Sequence, residues 1–214
     1  VDNRQSFGYA LPMTQPPIFR SIPEQIAVRL RQDILDGVFV PGQPLREQEI
    51  AEQFAVSRGP IREAFRQLTE QGLLVLEPNK GVRVAPLPSL KLRPLIAELR
   101  RTIERFALDA IFERITPADI ARWEGILADM RRACEQGDTA GLVACDLRFH
   151  SALIHSHDDD GLMTLWQPVA LRMLMQYNRF DNLMDSYNEH KRILDAIRAG
   201  EKEMALAALA ANIQ

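Results

Sequence analysis

The sequence of 214 residues contains few cysteines, no long apolar run and no large excess of charge of one sign. No stretch approaches the roughly 20 apolar residues of a membrane-spanning helix, which argues against an integral membrane protein. Residues 1–17 lack the basic and then apolar order of a secretion signal. The only two cysteines are Cys134 and Cys145, too few for a disulfide framework, so we expect reduced thiols and a cytoplasmic location.

The charge balance excludes a polybasic chain. There are 26 Lys and Arg against 29 Asp and Glu, which gives a formal net charge of −3. Nucleic-acid binding then requires positive charge concentrated on one face, and the overall charge cannot indicate it. Hydrophobic residues make up 46% of the chain, enough for a buried core.

The pattern of breaks predicts two domains, as the length also favours. Residues 1–17 are polar and proline-containing and are predicted to be a flexible arm. Residues 18–86 are predicted to contain three short helices and a β-hairpin. Residues 90–214 have helical spacing throughout and predict six helices of roughly 14–24 residues. The expected fold class is mainly α, a winged helix-turn-helix followed by an all-α bundle.

The first domain has the pattern of a helix-turn-helix. Helices are expected at about 22–38, 46–54 and 58–71, with a tight turn between the last two. Ser57 is expected to cap the third helix with its hydroxyl. One face of that helix carries an apolar stripe, and a neighbouring face carries Arg58, Arg62 and Arg66.

This arrangement suits DNA binding. An arginine in the major groove can bond guanine O6 and N7 or a phosphate. The hairpin would be a wing with Lys80 and Gly81 at its tip, where lysine supplies charge and glycine permits close backbone approach. The alternative is that the arginines form a plain solvated face.

The same residues carry a family resemblance. The run LREQEIAEQFAVSRGPIREAFRQLTEQGLL, followed by NKGVRV, resembles the winged helix of GntR-family bacterial transcription regulators, especially the branch named after the fatty-acid regulator FadR. Gly59 stands where that family often has Thr or Ser. The resemblance implies DNA contacts from the recognition helix, the preceding helix and the wing tip. The candidate DNA-binding residues are Arg46, Gln48, Ser57, Arg58, Gly59, Arg62, Lys80 and Gly81.

The second domain contains a possible metal-binding pair. Asp146 and His150 are four residues apart, which places them on one face of a helix. A carboxylate and an imidazole in this position can share a cation. His155 falls on the opposite side and Cys145 lies off the ligand face. By itself, an Asp-x3-His pair is also compatible with a surface ion pair.

This region resembles the FCD ligand-binding domain of FadR-type regulators, in its shorter six-helix branch, which includes the vanillate regulator. The resemblance implies metal ligation by Asp146, by His150 and by His190 after Glu189. The last family histidine is replaced by Asn212, a weaker possible fourth ligand. The implied cofactor is a divalent metal ion, zinc or similar. The alternative is a metal-free cavity in which both histidines bond polar neighbours.

A further element, AELRRTIERFALDA, resembles the family segment that points an arginine, here Arg100, into the cavity. A guanidinium beside a metal can bind a carboxylate effector through charge-assisted hydrogen bonds. The alternative is an exposed ion pair of Arg100 with Glu104. Tyr177 and Asn178 could also line the pocket, although a segment of this kind is more often plain core.

The leading hypothesis is a ligand-controlled DNA-binding regulator, a repressor that binds a palindromic operator as a homodimer and responds to a small carboxylate. It is not expected to be an enzyme. A metal-dependent hydrolase on a helical bundle is the rival hypothesis, but no separate catalytic base is evident. A DNA-binding protein with a vestigial pocket is the third, favoured by Asn212.

Overall fold

The computed structural model describes residues 21–157, 159–175 and 182–213. The predicted arm, Tyr177 and Asn178 lie outside these residues. The first domain contains α1 (Ile22–Leu35), α2 (Glu47–Phe54), α3 (Arg58–Glu70), β1 (Leu74–Glu77) and β2 (Gly81–Val84).

Local sequence signals position these helices. Ser21 and Glu24 form a reciprocal capping box that starts α1. Between α2 and α3, Ala55 adopts a left-handed conformation with φ 52°, which closes the tight turn. Ser57 is the N-cap residue of α3, but its hydroxyl makes no capping hydrogen bond. The prediction of a side-chain cap at Ser57 was therefore wrong, and the first turn of α3 keeps backbone N–H groups without that acceptor.

The hairpin forms a two-stranded antiparallel wing. Leu74 pairs with Val84 and Glu77 with Gly81, so the turn lies at residues 78–80. Asn79 and Gly81 both have positive φ, of 63° and 78°, as a tight turn between strands requires. Inner positions of the wing pack on the core of α1 and α3.

Within the described residues the second domain contains six α-helices, which confirms the mainly helical fold class. The first five have lengths within the predicted range, and the last, which begins after the turn at Gly200, is shorter, with 11 residues. Their bounds are α4 (Arg93–Ile111), α5 (Pro117–Gln136), α6 (Thr139–His155), α7 (Asp160–Leu174), α8 (Leu183–Arg198) and α9 (Lys202–Asn212). None of the helices in the described part of the chain has the length and apolar character needed to cross a bilayer.

Two hydrophobic cores meet at α6 and α7. The bundle core is built around Trp123, Phe149 and Trp166. Leu171 of α7 is fully buried within the core of the winged helix, and Leu147 of α6 packs against both cores. The two domains are therefore joined by packed side chains as well as by the chain itself.

Candidate DNA interface and metal centre

The third helix has the two faces that the sequence predicted. Ile61, Ala64, Phe65 and Leu68 are buried against the domain core. The side chains of Arg58 and Arg62 remain more than half exposed on the outer face.

Both arginines bind one carboxylate of the preceding helix, a residue that sequence reasoning missed. Arg62 donates from Nε and Nη2 to the two oxygens of Glu47, at 3.1 and 3.0 Å, and Arg58 donates to Glu47 at 3.1 Å. The hydrogen bonds from Arg62 hold the pKa of Glu47 below its usual value. Glu47 therefore orients both guanidinium groups. Arg66 instead pairs with Glu63 and Glu70 of its own helix.

The structure brings most of the predicted DNA-binding residues to one cleft between α2, the start of α3 and the wing. That cleft is lined by Arg46, Gln48, Arg58, Lys80 and Gly81, among others. Arg62 lines the adjoining cleft, which shares Glu47. A Cβ at Gly59 would meet nothing within 4 Å, so the missing side chain leaves open space beside the recognition helix.

The predicted ligands of the bundle also converge. Asp146 and His150 of α6 and His190 of α8 are all buried, and one ligand atom from each lies within 4.8 Å of the others. The two Nε2 atoms are 3.2 Å apart, and Asp146 Oδ1 lies 3.4 Å from His190 Nε2 and 3.9 Å from His150 Nε2. Phe149 packs edge-on against both imidazoles.

Hydrogen bonds at the far side of each ring define its tautomer. His150 Nδ1 lies 2.5 Å from Glu104 Oε2, and His190 Nδ1 lies 2.8 Å from the Ser186 carbonyl oxygen. Both partners are acceptors, so each Nδ1 carries the proton and each Nε2 presents a lone pair to the centre. Burial also lowers the pKa of His150, which favours its neutral form.

Two imidazole lone pairs and a carboxylate oxygen therefore face one another in a buried space. In this tautomer the three facing atoms are all acceptors, and a cation among them would relieve their mutual repulsion. Two nitrogens and one oxygen suit zinc and similar divalent ions, with further positions left for water or a ligand. The residues present fit a metal.

Glu104 is the main support that sequence reasoning did not assign to the metal site. Besides His150, its carboxylate accepts from Arg100 Nε at 2.7 Å and from Trp166 Nε1 at 2.6 Å. Burial alone would raise the pKa of Glu104, but His150 and Arg100 hold it at about 2. An ionised carboxylate behind a histidine ligand fixes the ring and makes it a better donor to a metal.

Arg100 lies beside the three ligands and is only 2% exposed, so the alternative of an exposed Arg100–Glu104 pair is wrong. Its Nη2 is 3.3 Å from Asp146 Oδ2, and its Nη1 is 3.5 Å from Met173 Sδ. Burial opposes the charge of Arg100, but Glu104 and Asp146 raise its pKa. Burial likewise would raise the pKa of Asp146, and Arg100 holds it well below its usual range.

Asn212 lies next to His190 on the side away from the other ligands. Its Nδ2 donates to Glu189 Oε2 at 3.1 Å and is 3.5 Å from His190 Nδ1. In this position Asn212 lies beside Nδ1 of His190, on the side of the ring opposite the Nε2 atom that faces the other ligands. Its role as a fourth ligand stays a prediction, and it requires the side chain to move toward Nε2.

A winged helix with an arginine-bearing recognition helix, packed on a helical bundle with a buried polar centre, defines a class: DNA-binding regulators with a sensor domain. Residues 22–84 match the model of bacterial regulatory proteins of the gntR family, and residues 95–214 match the FCD domain. The chain belongs to the GntR family of transcription regulators that carry an FCD effector-binding domain. This is a family of regulators and not of enzymes.

Relatives and solved structures agree with this assignment. The chain is 28% identical to the galactonate operon transcriptional repressor of Escherichia coli strain K12, with 85% of this chain and 89% of the relative covered. It is 27% identical to the gluconate operon transcriptional repressor of Bacillus subtilis strain 168, covering 88% and 80%. A putative GntR regulator structure from Rhodococcus sp. RHA1 superposes with a TM-score of 0.73 at 28% identity, covering 91% and 94%. Escherichia coli McbR/YncC shares the fold, with a TM-score of 0.79 at 24% identity and coverage of 92% and 95%.

Proposed function

We propose that this regulator is a repressor that binds a palindromic operator as a homodimer and is controlled by a small carboxylate bound at a divalent metal. The observation that carries the proposal is the buried convergence of Asp146, His150 and His190, with each Nε2 turned inward. The relatives named above are repressors of operons for sugar acids, which supports both the repressor role and a carboxylate effector.

The three converging residues would hold the metal, zinc or a similar ion, with water or Asn212 completing its ligands. The metal would supply a positive centre for a carboxylate oxygen. Arg100, held beside Asp146, would receive the other oxygen as a charge-assisted hydrogen bond. A 2-hydroxy acid fits best, because its carboxylate and neighbouring hydroxyl can bind a metal as a chelate. The sugar acids named for the relatives belong to this class.

On the DNA side, the cleft between α2, α3 and the wing would receive the operator. Arg62 and Arg58, oriented by Glu47, would contact base edges or phosphates. Lys80 and Gly81 would contact the backbone from the wing. Arg46 and Gln48, which line the same cleft, would add contacts from α2, and Ser57 and Gly59 would add contacts from the start of α3.

Helix α7 connects the two sites. Trp166 and Met173 contact Glu104 and Arg100, and Leu171 is part of the winged-helix core. Close to it, Arg172 lies 3.0 Å from the position a Cβ would take at Gly72, at the end of α3. An effector carboxylate that binds Arg100 would weaken the hydrogen bond between Arg100 and Glu104. Because Glu104 also accepts from Trp166, the position of α7 would then change. We infer that this shift biases the placement of the winged helices on the operator.

A combined metal and operator assay tests the proposal. Metal content is measured in the purified chain, and operator affinity is measured with and without galactonate or gluconate. We expect close to one equivalent of metal and an effector-dependent change in affinity that is lost in His190→Ala, while basal operator binding persists. His155→Ala, which removes an exposed histidine of the same bundle, is the matched control and should respond like the native chain. Normal effector response in metal-free His190→Ala protein would contradict the metal-bound effector.

A further inference from the structure

Among the described residues Arg100 has three hydrogen-bond acceptors, and they differ in strength. Its Nε donates to Glu104 at 2.7 Å and its Nη2 donates to Asp146 at 3.3 Å, so two of the acceptors are carboxylates. Its Nη1 lies 3.5 Å from the sulfur of Met173. A thioether sulfur is a weak acceptor, whereas a hydrogen bond from a guanidinium to a carboxylate is strengthened by both charges. The contact with Met173 is therefore the one that a carboxylate ligand replaces with the greatest gain.

The three acceptors also differ in how easily they can move. Arg100 itself is buried, and so are Glu104 and Asp146. Met173 is partly exposed and packs against the bundle core. Methionine is unbranched with three rotatable side-chain bonds, so it rearranges more readily than a buried carboxylate held by ion pairs. A ligand atom therefore reaches Nη1 most readily through the space that the Met173 side chain occupies.

Met173 lies on a turn of α7 that packs against both domains. Leu171 belongs to the winged-helix core, and Met175 packs against the same core. Successive residues of a helix are about 100° apart, so Leu171 and Met175 share one face. Met173, two residues from each, lies on the opposite face, toward the bundle. The last turn of α7 is therefore held between the two domains, with Met173 as its contact to Arg100.

Pro168 separates this turn from the first half of α7. Proline has no backbone N–H, so the helix lacks the hydrogen bond that residue 168 would donate to the carbonyl of residue 164. Trp166, which donates to Glu104, lies before this point, and Met173 lies after it. The two contacts of α7 with the centre can therefore change separately.

We propose that Met173 is the displaceable contact of the effector site: a carboxylate that binds Arg100 takes Nη1 from the Met173 sulfur, and the last turn of α7 loses its contact with the centre. The inference rests on the proposed carboxylate effector and assigns the residue through which its binding reaches the winged helix. Without ligand, the sulfur contact ties this turn to the bundle. With ligand, Leu171 and Met175 stay packed on the winged helix, while Met173 no longer ties their turn to Arg100.

Two substitutions of Met173 act on this exchange in opposite directions. Glutamine has nearly the length of methionine but offers Nη1 a stronger acceptor, so Met173→Gln should weaken carboxylate binding by about tenfold. Leucine conserves the volume but has no acceptor, so Met173→Leu should strengthen carboxylate binding by about threefold. Isothermal titration of glycolate, the smallest 2-hydroxy acid, and of gluconate into the zinc-loaded full-length chain measures both effects. Met163→Gln and Met163→Leu, at another partly buried methionine of α7, are the matched controls and should bind both acids like the native chain.

The same variants separate ligand binding from the response at the operator. At saturating ligand, Met173→Gln should show the full change in operator affinity, because the ligand still displaces the side chain. Met173→Leu lacks the sulfur contact from the start, so ligand should change its operator affinity much less than that of the native chain. A purely structural role of Met173 predicts the same direction of change for both substitutions, and circular dichroism confirms that each variant is folded.

Movement of the Met173 side chain can be followed directly by nuclear magnetic resonance. In a chain labelled with carbon-13 at the methionine methyl groups, the signal that is absent from Met173→Leu belongs to Met173. This signal should shift when glycolate or gluconate saturates the site, whereas the Met163 signal should stay in place.

The outcomes separate this inference from the proposed function. A Met173 signal that does not move while ligand binds overturns the inference, and so does a folded Met173→Gln chain that binds ligand as tightly as the native chain. Either result leaves the metal-bound carboxylate standing. A native zinc-loaded chain that binds neither glycolate nor gluconate contradicts the proposed effector class and this inference together.

Discussion

At the scale of single residues, Glu104 shows how one buried carboxylate organises the metal centre. It accepts hydrogen bonds from His150, Arg100 and Trp166, which come from three different helices. A carboxylate this buried stays ionised only because each oxygen has a donor and a cation lies beside it. The ring of His150 is thereby fixed with Nε2 toward the other ligands.

We predict that Glu104→Gln weakens metal binding by about 10–100-fold, the usual effect of removing a carboxylate behind a histidine ligand. The amide keeps the shape but loses the charge that makes His150 a strong donor. Isothermal titration with zinc on metal-stripped protein measures the effect. Glu203→Gln, at an exposed position of α9, is the control for the loss of one negative charge. Equal zinc affinity in Glu104→Gln and the native chain would count against a metal role for His150.

In the recognition helix we predict that Arg62→Ala lowers operator affinity by about 1–3 kcal/mol and relaxes base choice, if its fork binds guanine. Lys80→Ala should weaken binding to every DNA sequence by a similar amount. It should also reduce the slope of log affinity against log salt concentration by about one, as expected for the loss of one phosphate contact. Fluorescence anisotropy with operator and scrambled duplexes at several salt concentrations distinguishes the two. Specific binding that survives Arg62→Ala unchanged means that the recognition face is assigned wrongly.

At the scale of elements, the sequence predicted local order well and contacts across helices poorly. Apolar spacing and turn residues indicated α2, α3 and the wing, because these signals act over a few residues. The spacing of Asp146 and His150 placed two ligands on one helix face for the same reason. The contact between Glu104 and His150 joins residues 46 positions apart, and no spacing rule reports it. The same applies to Glu47, whose acceptor role depends on the crossing of α2 and α3.

Helix α7 offers a test of how the two domains communicate. We predict that Trp166→Phe preserves metal and effector binding but reduces the effector-induced change in operator affinity. The phenyl ring fills most of the indole space but cannot donate to Glu104, so α7 loses its hydrogen bond to the centre. Trp123→Phe is the matched control, because Trp123 is equally buried and donates to the Phe149 carbonyl instead. If the effector changes the operator affinity of Trp166→Phe as much as that of the native chain, this hydrogen bond does not connect the two domains.

At the scale of the whole molecule, metal binding and folding stability should be linked. The ligands come from α6 and α8, so a bound ion ties together two helices that the chain joins only through α7. An ion present at about one hundred times its dissociation constant adds about 2.7 kcal/mol to the free energy of unfolding. For a chain of this length that corresponds to a rise in melting temperature of about 5–10 °C.

We therefore predict that chelation lowers the melting temperature by that amount and that added zinc restores it. Differential scanning calorimetry of the native chain before and after chelation measures the change. His190→Ala should melt at the same temperature with and without chelator, since it lacks the ligand from α8. Because Leu171 and Leu147 join the two cores, the winged helix should lose stability with the bundle. Less than about a tenth of an equivalent of metal by elemental analysis, with a melting temperature that chelation does not change, would contradict the metal centre and leave the DNA interface standing.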